Sequence, residues 1–266
     1  MHVKQDLKAR RSLEIRLKRN ATPMRQNFAF TENVSSCIHG WMNEQHPSPE
    51  AVSRAAQALG RGITDAQAEL VAAYLHLLIK WNRKMNLVGK SDWRTVFDTL
   101  IVDSLFLADF LSELDLPEKP LSLDLGAGAG LPGISLRALW TDGDYWLVEV
   151  REKRAVFMKM ALGRLRQAGT DVFHGRAEDA LSRLEAAGHR GTADLVLSRA
   201  FMPWPKLLEF VRPMLRQDAD QCGTVVIMSN DPAPKNEELP SGWKLGDVAS
   251  YPAAGSERFF WAVRPC

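Results

Sequence analysis

Cysteine is scarce: Cys37, Cys222 and Cys266 are three in 266 residues, far apart and with no C-x-x-C spacing. That excludes a disulfide framework and a cysteine-built zinc site, and a few unpaired thiols suit a reducing, cytoplasmic setting. The six histidines form no H-x-H or H-x-x-x-H pair, so no metal is expected. No apolar run approaches the roughly 18 residues of a membrane-spanning helix. An excess of one charge is lacking too. Against 34 Lys and Arg stand 32 Asp and Glu, a net +2, so attraction to a polyanion must come from local patches.

The first 25 residues carry eight Lys or Arg and two acids, and no apolar stretch follows as in a secretory signal. Asp6 and Glu14 count against a transit peptide. The segment reads as a basic, disordered N-terminal extension, residues 1–47, or as an over-long gene start with Met24 or Met42 as initiator. Pro47 and Pro49 punctuate the chain, and the folded part is expected from about Ser48.

What is present is centred on Leu121-Ser122-Leu123-Asp124-Leu125-Gly126-Ala127-Gly128-Ala129-Gly130-Leu131-Pro132-Gly133. The apolar run from Leu121 to Leu125 reads as a buried strand. It empties into alternating Gly and Ala, where the backbone can turn sharply and lie against a ligand. Pro132 suits the first turn of a helix that continues through Ile134, Leu136 and Leu139. Strand, glycine loop and helix N-terminus form the nucleotide-cofactor crevice of an open α/β sheet. Gly128-x-Gly130-x-x-Gly133 with Glu149 downstream matches a dinucleotide fingerprint. The other register, Asp124-x-Gly126-x-Gly128-x-Gly130, resembles the S-adenosylmethionine loop of class I methyltransferases. The glycines also suit a tight packing corner.

Helices precede this strand. Ser48-Pro49-Glu50 opens the first. Thr64 with Gln67 forms a capping box for a second, whose apolar face is Leu70, Val71, Tyr74, Leu75, Leu78 and Trp81. A third spans Thr95–Leu111, with Phe97, Leu100, Ile101, Leu105 and Ala108 on one side. These give an N-terminal helical cap, residues 48–115, on a Rossmann-like core, residues 120–266. Further strands are expected at Tyr145–Val150, Asp171–Phe173, Asp194–Ser198 and Thr224–Met228. A helix over Lys153–Gln167 should turn Val156, Met160 and Leu165 inward. Strands near Trp243–Tyr251 and Arg258–Arg264 read as a terminal β-hairpin. A dinucleotide fold needs a second mononucleotide half, and none is apparent.

In this α/β arrangement Glu149, ending the second strand, can accept both hydroxyls of a ribose with its two carboxylate oxygens. Gly126, Gly128 and Gly130 let backbone amides approach the donor. Ala177 and Glu178 follow the third strand, where they can read an adenine edge. Arg199 follows the fourth and can hold a phosphate or carboxylate with its planar fork. Lys80, Arg83, Lys84, Lys90, Arg94, Lys153 and Arg154 are candidate phosphate contacts. Asn82 and Asn86, four apart, read as structural.

Trp81-Asn82-x-x-x-Asn86-Leu87, Val102-Asp103-Ser104-Leu105, the glycine stretch, Lys153-Arg154, Arg176-x-Glu178 and Ser198-Arg199-Ala200-Phe201 occur in one order. Together they resemble the ribosomal RNA small-subunit methyltransferase G family, also called glucose-inhibited division protein B, closely from about Asp65 to Phe201. The resemblance implies a class I S-adenosylmethionine-dependent methyltransferase fold and methylation of N7 of a guanine in bacterial 16S rRNA, free or within the 30S subunit. Donor contacts would fall on Gly126, Leu131, Ala177, Glu178 and Arg199, with Glu149 at the ribose. Arg199 would be the catalytic residue, placing substrate or donor rather than moving a proton. No Asn/Asp-Pro-Pro-aromatic run follows the fourth strand, which leans against methylation of an exocyclic amine. Two positions depart from the family pattern: Leu100 stands for a His, and Ser229-Asn230 for Lys-Gly. A monomer is expected. The alternatives are a nicotinamide-dependent oxidoreductase and a donor-binding RNA protein without turnover.

Overall fold

The computed structural model describes residues 46–266 apart from Ser91, Ala219 and Asp220. Most of the basic N-terminal extension expected from sequence therefore lies outside the described residues.

Helix α1 (Pro49–Ala58) is capped by Ser48, whose hydroxyl accepts from Ala51 N at 3.2 Å. Helix α2 (Asp65–Met85) starts at the Thr64–Gln67 box: Thr64 Oγ1 accepts from Gln67 N, and Gln67 Oε1 accepts from Thr64 N. Its end is folded by Asn82, which donates to Lys90 O at 2.7 Å and accepts from Val88 N at 2.8 Å. Asn86 takes the left-handed C-cap with φ 47°. Both asparagines are structural, as their spacing suggested.

The third helix differs from the expectation of one regular element. It runs as α3 (Trp93–Val96), a π-helical turn (Phe97–Ile101) and α4 (Val102–Glu113). A π turn holds one residue more than an α turn and shifts the side-chain register after it. Phe97, Ile101, Val102 and Leu105 are all buried, and Asp103 with them. Leu100 is half-buried and packs on the same core.

The sheet has seven strands in the order β3-β2-β1-β4-β5-β7-β6. These are β1 (Leu121–Leu125), β2 (Asp144–Glu149), β3 (Thr170–His174), β4 (Leu195–Arg199), β5 (Thr224–Ser229), β6 (Trp243–Ala253) and β7 (Ser256–Pro265). The first five pair in parallel, and β7 runs antiparallel to β5 and to β6. A terminal hairpin thus fills the edge where a dinucleotide fold would continue in parallel. Helix α5 (Gly133–Leu136) is a single turn, shorter than the run to Leu139 suggested. The chain there is tied back by Arg137, whose buried guanidinium donates to the carbonyls of Trp140, Thr141, Asp142 and Gly143.

Alternate strand residues face opposite layers. Leu195, Leu197, Val226, Phe260 and Ala262 face α1, α2, α4 and α6 (Glu152–Leu165); Leu121, Leu123, Leu125, Val196, Val225 and Trp261 face α7 (Ala180–Ala186) and α8 (Trp204–Val211). Within α6 the inward set is Ala155, Phe157, Met158, Ala161, Leu162 and Leu165. Val156, expected inward, is 58% exposed, because the 155-158-162-165 stripe sets the helix face and Val156 falls outside it. Leu78, fully buried on α2, tests the cap's packing. Leu78→Ala should lower unfolding free energy by about 2–5 kcal/mol, against at most about 0.5 for exposed Lys80→Ala, measured by urea denaturation.

Candidate active site

The order of strands reverses between β1 and β4, and ligands of open α/β sheets bind beyond the carboxyl ends of strands at such a point. Here the glycine loop leaves β1. Gly126 has φ +69° and Gly128 φ +62°, a backbone region that side chains with a Cβ rarely enter. At Gly126 a Cβ would lie 2.8 Å from the Phe201 ring, so Phe201 covers the loop base. At Gly128 it would meet only Arg154 Nη1 and Gly126 O, each at 3.8 Å. That is the open side of the loop.

The loop is held from two directions. Glu149, 4% exposed at the end of β2, accepts from Gly128 N at 2.9 Å with Oε2 and from Arg151 N at 2.8 Å with Oε1. Arg154 lies 3.8 Å from the same Oε2. From the cap, Tyr74 donates its hydroxyl to Ala129 O at 2.8 Å. Burial, with Asp124 nearby, raises the Tyr74 pKa well above its ordinary value, so the hydroxyl stays a donor.

Beneath the loop lies Asp124, 1% exposed, which accepts from Tyr145 Oη at 3.2 Å. Burial raises its pKa to about 7, against the pull of the Tyr145 hydroxyl, the Gly133 N–H and the Arg199 charge. Gly133 is required here, since a Cβ would come 2.2 Å from Leu147 and 2.7 Å from Asp124 Oδ2.

Ala177 is buried and opens a 3-10 turn after β3, while Glu178 is exposed and pairs with Arg176 at 2.6 Å. Arg199 is the last residue of β4 rather than the first beyond it, and Ala200 follows at φ +52°. A left-handed Ala stores roughly 1–2 kcal/mol of strain and turns the chain so that Phe201 returns over Gly126. The Arg199 guanidinium forms an ion pair with Asp103 Oδ2, with Nη2 at 2.8 Å. Asp103 Oδ1 accepts from Tyr251 Oη at 2.8 Å and from Arg258 Nη1 at 2.6 Å. Strands β1, β2 and β4 thus bring Gly126, Gly128, Glu149 and Arg199 to the carboxyl edge of the sheet, and the turn after β3 brings Ala177 and Glu178. Leu131 lies half-buried in the same loop. Ser229, one of the two departures, accepts from Asp231 N at 2.9 Å and closes the turn after β5.

Sequence reasoning passed over Tyr74 as a loop tether and Asp103, Tyr251 and Arg258 as a cluster. An acid among the apolar residues of Val102-Asp103-Ser104-Leu105 was a usable signal, since a buried carboxylate needs partners. Nothing local to Tyr251 or Arg258 points to Asp103, which lies about 150 residues away in sequence.

A family model described as rRNA small subunit methyltransferase G matches residues 67–230, more than half of the chain. The ribosomal RNA small subunit methyltransferase G of Nitratidesulfovibrio vulgaris (strain DP4) is 51% identical over 197 residues, 74% of this chain and 85% of that protein. The chain belongs to the rRNA small subunit methyltransferase G family. Another member, from Lawsonia intracellularis, is 42% identical across 77% of this chain and 90% of its own length. A solved O-methyltransferase from Bacillus cereus shares the fold, with TM-score 0.52 and 14% identity over 82% of this chain and all of that one. The protein is thus a class I Rossmann-like methyltransferase. Among the described residues no group of acids, histidines or cysteines is placed to hold a metal, and no helix is long and apolar enough to cross a membrane.

Asp124 gives this methyltransferase a distinctive pH response. Its unfolded-state carboxyl ionises from about pH 4, while the folded one keeps its proton to about pH 7. Between those values the unfolded chain binds fewer protons, so stability falls as pH rises and levels off above about 7. Asp124→Asn should flatten that fall; urea unfolding of both proteins at pH 4.5, 6 and 7.5 reads the difference. Equal slopes in the two would contradict the assignment.

Proposed function

We propose that the protein transfers the methyl group of S-adenosylmethionine to N7 of a guanine in 16S rRNA, free or in the 30S subunit, acting as a cytoplasmic monomer. The domain division offered with this reading is a helical cap over residues 48–115 and a Rossmann-like core over 120–266. The observation that carries the donor assignment is the Gly128 N–H held on the buried Glu149 carboxylate, beside a loop face with no side chain. This fits a nucleoside donor. A carboxylate offers about four lone-pair sites, and backbone amides take two of Glu149's, leaving two for a ribose diol.

In this reading Gly126, Gly128 and Leu131 line the donor's methionine part through their backbones, and Ala177 and Glu178 meet the adenine. The bound donor supplies an electrophilic methyl on a sulfonium. Guanine N7 carries a free lone pair, so the new N–C bond forms as the C–S pair returns to sulfur, and no proton has to leave. The protein's part is alignment, exclusion of water and charge placement, which can contribute ~7–11 kcal/mol. A guanidinium offers N–H donors and no acceptor, so in this reading Arg199 orients an anion and does not act as a base. Lys80, Arg83, Lys84, Lys90 and Lys153 are exposed, and among the described residues they enter no ion pair with protein acids. They are offered as phosphate contacts.

Labelled methyl transfer to 16S rRNA and to 30S subunits, followed by mapping of the modified base, tests the reading. N7-methylguanine is expected; label on an exocyclic amine or on protein would refute it. Arg199→Lys should lose about ten- to a hundredfold in kcat/KM, since the charge stays and the fork is lost. Gly128→Val should fold less stably and bind the donor poorly, because a branched side chain would enter the open face of the loop.

A further inference from the structure

Asp103 comes from the first turn of α4, Tyr251 from β6 and Arg258 from β7, and all three converge behind Arg199. The Asp103 side chain is 1% exposed, Arg258 is 16% exposed and Arg199 25%. Arg258 Nη1 also donates to Thr99 O at 2.8 Å, which fixes it to the π turn ahead of α4. Tyr251 is clamped between Phe106 and Phe260, with ring centroids at 4.9 and 4.4 Å. Its hydroxyl therefore meets Asp103 with little freedom.

The charges are unequal: one carboxylate faces two guanidiniums. Asp103 Oδ1 is already satisfied by Tyr251 and Arg258, so Oδ2 is left for Arg199. That contact, made by Nη2, anchors one arm of the Arg199 fork, which carries five N–H donors, and the side chain keeps a quarter of its surface exposed.

We propose that Asp103, backed by Tyr251 and Arg258, is a positioning unit that sets the orientation of Arg199, so that the C-terminal hairpin acts on methyl transfer without touching either substrate. The ligand held by the oriented fork is an anion, a donor carboxylate or an RNA phosphate, and the net positive charge of the cluster favours it. The proposal rests on the methyl-transfer reading above.

Removing Asp103 would leave two guanidiniums unopposed and endanger folding, so the test uses Tyr251→Phe, which keeps the ring stack and removes one hydroxyl. It is measured alone and combined with Arg199→Ala, by single-turnover transfer of labelled methyl to 30S subunits. Tyr251→Phe should stay folded with a Tm lower by a few degrees, since one bond to a buried carboxylate is lost, and lose about five- to tenfold in kcat/KM, as for a hydrogen bond to a charged group. In the Arg199→Ala background it should cause no further loss, since neighbours that act through one residue are not additive. Arg258→Lys should behave in the same way. Wild-type kcat/KM in Tyr251→Phe, or the same fold loss in both backgrounds, would overturn the proposal. Absence of transfer by the unmodified protein would instead refute the methyl-transfer reading.

Discussion

The fold converges on one hydrogen bond, from the Gly128 N–H to the buried Glu149 carboxylate. It ties the loop leaving β1 to the end of β2. Hydrogen bonds to a charged group in a dry setting are about twice as strong as neutral ones, and this one holds a left-handed loop in a single conformation. Without it the buried carboxylate would keep only the Arg151 amide and a longer contact to Arg154. An under-satisfied buried charge is costly, so the loop and the strand end stabilise each other.

Around that bond the two layers have separate roles. The cap side supplies Tyr74 to the loop, Asp124 sits beneath it on β1, and Asp103 reaches the β4 edge from α4. The far side supplies Phe201, which packs on Gly126 and against Phe210. The hairpin closes the sheet edge and also contributes Tyr251 and Arg258 to the Asp103 cluster. Helical cap and hairpin are therefore joined through polar groups at the carboxyl edge of the sheet and through apolar packing of Tyr251 and Phe260 below it.

Much of this was legible in sequence because local chemistry and local structure agree. The Thr64–Gln67 box, the Asn82–Asn86 helix end and the Leu121–Leu125 strand each carry their own signal within a few residues. The alternation of strand and helix from Leu121, with the terminal hairpin, predicted a methyltransferase sheet. Periodicity failed where the helix itself is irregular. A π turn at Phe97–Ile101 breaks one expected helix into three pieces, and Val156, apolar but off the Ala155-Met158-Leu162-Leu165 stripe, stands on the outer face of α6. The links from Tyr74 to Ala129 and from Asp103 to Tyr251 were invisible for another reason. They join residues far apart in sequence, and no spacing rule reports which buried hydroxyl meets which acceptor.

The most direct test of the account asks whether the carboxylate that holds the loop also holds the donor. Titration calorimetry with S-adenosylmethionine, and separately with NAD, on the wild-type protein and Glu149→Gln supplies it. S-adenosylmethionine should bind the wild type and NAD should not. Glu149→Gln, which keeps the shape and loses the charge, should bind the donor at least about tenfold more weakly, as expected for losing charged hydrogen bonds. Unchanged donor affinity in a folded Glu149→Gln protein, or binding of NAD in place of S-adenosylmethionine, would contradict it.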